Sequence, residues 1–180
     1  LIVFLGLILF ASPYIAWKVY EHRAVLARVP PPLEVASVEY RLEEPWGFGP
    51  GGNETGFVVY RLSDASTRWV QQQGAQLGER LPGGSKVWLK TPVGDVSDRE
   101  SWHSYDRDLA MMSAERLKPH PATVAEYLEK YGFTIPIQKD REVDVDRAIQ
   151  TPGSFYNMGK GGSVTVIDPD RGKVYFFYAG

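Results

Sequence analysis

Seventeen residues pass, from Leu1 to Trp17, before the first charged side chain, Lys18. No other stretch limits the chain's possible folds as much. A bilayer core about 30 Å thick takes a helix of roughly 17–25 mostly apolar residues, so 1–20 lies at the short end of the spanning range. Tyr14, Trp17 and Tyr20 gather at one end of the run, where amphipathic rings favour the headgroup layer. Pro13 is tolerated in a lipid-embedded helix, with a kink. A cleaved secretion signal would have a shorter apolar stretch and a small-x-small cut site, and the proline makes Ala11-Ser12-Pro13 a poor one. A buried core helix is the third option. We read 1–20 as a single uncleaved transmembrane anchor, with membrane lipid as its partner.

Two signals disagree on orientation. Lys18, Arg23 and Arg28 follow the apolar run against one acid, Glu21, and the positive-inside rule puts such a flank in the cytoplasm. A single-pass protein carrying its domain outside puts it in the periplasm or extracellular space, and this second placement is the expectation. From Lys18 to Val29 the pattern stays helical, with Val19, Leu26 and Val29 at helical spacing. Pro30-Pro31-Pro32 then ends the helix and predicts a short extended spacer. The organisation expected is an anchor over 1–20, a juxtamembrane helix and Pro-rich spacer over 21–32, and one folded domain over 33–180.

The domain is long enough for a core of its own. The chain has 20 Lys and Arg and 22 Asp and Glu; three and one of these precede residue 33, leaving the domain about −4. That balance argues against nucleic acid, whose phosphates want a positive surface. Cysteine is absent, which rules out disulfides, thiolate metal sites and a cysteine nucleophile but leaves the compartment open.

The strand signals are strongest at the end of the sequence. Ser163–Ile167 alternates, Asp168-Pro-Asp-Arg-Gly172 turns, and Lys173–Tyr178 returns as a run apolar on both faces, which predicts a C-terminal hairpin whose second strand is covered on both sides. Strands are also predicted over 33–42, 56–62 and 86–89. Helices are predicted after Ser63, over 106–117, and over 121–131, where Pro121 begins the helix and Gly132 stops it. The fold class expected is α+β: one compact domain, a mainly antiparallel sheet, two or three helices, preceded by one transmembrane helix.

Chemistry-bearing residues concentrate in GDVSDRESWHSYDRD, Gly94 to Asp108. Asp95, Asp98, Glu100 and His103 are candidates for contact with a basic protein partner. His103 and Asp106, spaced i, i+3, are the alternative catalytic pair. Trp46 and Phe48, in the glycine-rich stretch 46–52, are the other partner-binding candidates. The three histidines have no metal-ligand spacing, no G-x-S-x-G elbow is present, and Gly159-Lys-Gly-Gly-Ser163 departs from a phosphate loop because a strand, not a helix, follows it. No metal, cofactor or nucleotide is therefore expected.

These features favour a membrane-anchored extracytoplasmic protein-interaction domain without enzyme activity, such as an inhibitor, an immunity-like protein or an accessory subunit of an envelope complex. A hydrolase or lyase of an envelope polymer, using His103 with a nearby carboxylate, is the alternative. A bracing subunit of a larger membrane complex is the third reading.

Overall fold

The computed structural model describes residues 2–45, 54–82, 87–94, 102, 120–132, 134–159 and 161–180, with the backbone alone for 2–12. Six strands form one antiparallel sheet: β1 (Val35–Pro45), β2 (Glu54–Leu62), β3 (Leu89–Lys90), β4 (Phe155–Met158), β5 (Ser163–Asp168) and β6 (Lys173–Ala179). Their order is β1-β2-β6-β5-β4-β3. The last strand in sequence thus lies mid-sheet, between β2 and β5, with Phe57 opposite Phe177 on one side and Val164 opposite Phe177 on the other.

Alternation sends the side chains of the central strands into two separate cores. Phe57, Val59, Tyr156, Val164, Val166, Tyr175 and Phe177 point to one face and pack with α4 (Val124–Glu129) and α5 (Lys139–Gln150). Val58, Tyr60, Leu62, Phe155, Ile167 and Val174 point to the other, with α2 (Asp64–Gln73), α3 (Leu77–Arg80) and the C-terminal end of α1 (Ile2–Leu26). The class is α+β, and the sheet is covered on both sides. The C-terminal hairpin forms where the alternation predicts it. Its turn is tied by Asp168, which accepts from the Arg171 backbone N–H at 3.1 Å and the Arg171 guanidinium at 2.7 Å, and Gly172 takes φ +60°.

Helix starts follow side-chain caps. Ser63 Oγ accepts from the Ser66 N–H at 3.2 Å, and Thr123 Oγ1 from the Glu126 N–H at 3.2 Å, each filling one orphan donor of a first turn. Four α-helices follow α1 among the described residues, one of them a single turn. The sequence reading of two or three omitted α5. The chain turns at 151–153 just before β4. The helix expected over 106–117 lies outside the described residues.

The segment 21–32 belongs to the packed body. Val25 and Val29 are 3% and 5% exposed and sit in the second core with Val58 and Tyr60. The three prolines form a turn, with the Leu33 N–H donating to the Pro30 carbonyl at 3.1 Å. Among residues with described side chains, no helix is long and apolar enough to cross a membrane.

Candidate functional site

The described residues place their densest polar cluster where α1 meets the sheet. Glu43 on β1 is its centre. Its carboxylate accepts from Arg28 Nη1 at 2.5 Å, from Arg41 Nε, and from the Tyr178 hydroxyl at 3.0 Å. Arg41 reaches on to Glu21 at 2.9 Å, and Lys18 donates to Glu21 at 3.0 Å. The Arg28 guanidinium also lies 5.1 Å from the Phe176 ring centre and 5.5 Å from that of Tyr178, within cation–π range. Burial opposes ionisation of Glu43, yet the hydrogen bonds from Arg28 and Arg41 outweigh it and hold the carboxyl below its ordinary range. An open cavity of about 240 Å³ lies here, lined by Arg28, Arg41, Glu43, Glu44, Glu54 and Tyr178.

One glycine makes this arrangement possible. Tyr178 leans across β2 to reach Glu43, and its ring occupies the space a Cβ on Gly56 would need. A side chain there would push the ring off Glu43 and Arg28 together.

A second ionic cluster joins β1 to α5. Glu39 accepts from Arg61 at 2.6 Å and Arg141 at 3.3 Å, with Lys173 Nζ also at 3.3 Å. Burial raises the Glu39 pKa, but the Arg61 and Lys173 contacts outweigh this and the net shift is downward. Lys173 also reaches Asp144 on α5 at 3.4 Å. The Tyr175 hydroxyl and Arg141 Nε are buried with no hydrogen-bond partner among the described residues.

The third cluster lies at the start of α4. Asp146, on α5, accepts from the Val124 N–H at 2.8 Å. Burial pushes its carboxyl up to about 6; the Val124 hydrogen bond opposes this and Glu142 adds to it. His120 Nε2 lies 3.2 Å from Glu126. Nearby, the Lys130 ammonium is 4.1 Å from the Tyr127 ring centre and 5.2 Å from that of Tyr131, and burial lowers its pKa.

Trp46, Phe48, Asp95, Asp98, Glu100, His103 and Asp106 all lie outside the described residues. Of the acidic stretch only Gly94 and Trp102 are described, and Trp102 belongs to the core. Trp102 is 1% exposed, donates from Nε1 to the Thr123 carbonyl at 2.9 Å, and meets Tyr127 edge-on at 4.9 Å. Trp102 is thus held against the start of α4. An aromatic within so polar a segment is the signal that could have shown it.

Gly161 and Gly162, at φ +64° and +65°, form the β4–β5 hairpin turn, closed by the Gly159 N–H donating to the Ser163 carbonyl at 2.7 Å. A cavity of about 370 Å³ beside Ser154 is lined by Val70, Gln71, Lys90 and Asp170 among others, and Ser154 itself is 6% exposed. No group of three or more metal-ligating side chains converges among the described residues. No protein-family model, curated protein or solved structure matches the chain.

Proposed function

We propose that this protein is a membrane-anchored interaction domain, held at the extracytoplasmic bilayer surface by α1 and engaging a protein partner there. One observation carries the anchoring. Tyr14, Ile15, Trp17, Val19 and Tyr20 are 45–67% exposed, and the apolar residues of α1 show no preferred side. A helix apolar all round is stable in lipid or inside a large core, and the described residues supply no core for it. With 21–26 on the domain, the remaining 19 residues of the helix span about 28 Å at 1.5 Å each, close to the bilayer core. The interaction half rests on architecture. A sheet packed on both faces commits its interior to stability and leaves recognition to its rim and loops, while tethering raises local concentration at the membrane.

The full chain should stay in the membrane fraction through alkaline carbonate washing. Leu5→Arg with Ile8→Arg should release it, since each charge at mid-bilayer costs about 2.5–3.5 kcal/mol. Protease added to intact spheroplasts should digest the domain. A photo-crosslinker at Trp46 or Leu89 should yield discrete protein adducts. Release of the unaltered chain by carbonate would overturn the anchor, protection from protease the side, and lipid-only adducts the partner.

A further inference from the structure

The cavity of about 370 Å³ opens between the C-terminal end of α2, the strands β3 and β4, and the β5–β6 turn. The second core supplies its floor. Val70 of α2 is 0% exposed and Phe155 of β4 is 5% exposed. Pro169, in the turn, adds an apolar wall. Two opposite charges flank this floor. Lys90 stands directly opposite Phe155 in the β3–β4 pair. Residues paired in this way send their side chains to the same face of a sheet, so Lys90 leaves β3 on the cavity side. Asp170 holds the other flank, beyond β4 and β5. Its Oδ2 lies 3.9 Å from the point that a Cβ on Gly153 would take, which sets the carboxylate over the entry to β4. Gly153 itself has φ +116°, a conformation that leaves the position to glycine. Gln71 donates from Nε2 to the Pro169 carbonyl at 3.0 Å, and this bond ties the α2 wall to the turn wall. α2 ends here at Gly74, and the partial negative charge of a helix C-terminus adds to that of Asp170.

We propose that this cavity binds a small dipolar ligand, with a free ammonium beside Asp170, an aliphatic body over Val70 and Phe155, and a free carboxylate at Lys90. Amino acids with apolar side chains and short peptides of such residues carry that chemistry. The size of the cavity selects the same class. It lies near the lower end of the range for small-ligand sites, about 300–1,000 Å³, which suits one or two residues better than a longer chain. The apolar floor supplies affinity through buried area. The two rim charges set orientation, because a reversed ligand brings like charges together. Every residue that lines the cavity belongs to the packed domain, so the site does not depend on where α1 resides.

The test uses the full chain in phospholipid nanodiscs, read by saturation-transfer difference NMR with empty nanodiscs as the blank. The probes are L-leucine and leucyl-leucine, each also in its N-acetylated and its C-amidated form. At least one of the two zwitterions should bind saturably, and the tighter of them identifies the source as amino acid or peptide. Removing either charge from the ligand should weaken binding about fivefold, the worth of one exposed ion pair. Asp170→Asn should abolish the penalty for acetylation and keep the penalty for amidation. Lys90→Gln should do the converse. Both residues are exposed, so neither substitution disturbs the core, and the arms with altered probes use the unaltered chain. Three results would each overturn the site: neither zwitterion binds, the capped probes bind as tightly as the zwitterions, or both penalties survive in the variants.

Discussion

Where the folded body begins can be measured with two truncations, one starting at Glu21 and one at Leu33. Both lack the apolar run, and they differ only in the segment that joins α1 to β1. The shorter form loses Val25 and Val29, at 3% and 5% exposure. Burying each valine is worth about 1.5 kcal/mol or a little more, so the pair contributes about 3–4 kcal/mol. The Tyr60 hydroxyl loses the Val25 carbonyl, about 1 kcal/mol net because the hydroxyl regains water. Fixing the backbone of 21–32 opposes these gains. The shorter form also loses the Arg28–Glu43 ion pair, and the form starting at 33 should unfold at a lower urea midpoint than the form starting at 21. It should also bind a hydrophobic dye, because Val58, Tyr60 and Leu62 lose part of their cover. Urea unfolding followed by tryptophan fluorescence reads the difference. Equal midpoints and slopes for the two forms would refute the assignment of 21–32 to the core.

Asp146→Asn tests the electrostatics at α4. The folded carboxyl titrates near 6 against an ordinary 3.8. A raised folded pKa contributes stability that is present in full below the unfolded value and lost as pH rises through about 6. Part of the group is exposed, so the loss is about 1 kcal/mol after screening. Asparagine keeps the acceptor for the Val124 N–H without the charge, so the variant should be more stable than the parent at pH 7.5 and indistinguishable from it at pH 3 in the same urea assay. A variant less stable than the parent at both pH values would show that the Val124 bond needs the charge. Gly56→Ala should destabilise by about 1–3 kcal/mol through overpacking, because its methyl group meets the Tyr178 ring. In a double-mutant cycle with Tyr178→Ala, the two losses should be strongly less than additive. Additive losses would place the strain elsewhere.

The strands with regular alternation were readable from the sequence. Val164 and Val166 repeat at period two, the Asp168–Gly172 turn carries its own chemistry, and Lys173–Tyr178 is apolar on both faces because it sits mid-sheet. Pro121 and Gly132 marked α4 from the sequence, but the helix is capped by Thr123 and spans only Val124–Glu129, so Pro121 precedes it. α5 was missed because Lys139-Asp-Arg-Glu-Val-Asp-Val-Asp alternates charge with valine, and its buried stripe is only Val145, Ala148 and Ile149. Helical spacing in 19–29 was visible, but its burial was not. That burial depends on Tyr60, 35 residues from Val25 along the chain. The polar cluster at Glu43 depends in the same way on Tyr178, 135 residues away, and on the missing side chain of Gly56. Trp102 stands among charged neighbours in the sequence, while its own partners, Thr123 and Tyr127, come later in the chain.

The position of β6 in the sheet sets the order in which the molecule can be built. β1 and β2 form one ribbon and β3, β4 and β5 another, and β6 alone joins them. Ribosomes reach Lys173 some 110 residues after Leu62, roughly five to twenty seconds later at 5–20 residues per second. Throughout that interval β2 lacks the strand that later pairs with it along its inner edge. Assembly of the sheet is therefore a late, all-at-once event, dominated by contacts distant in sequence.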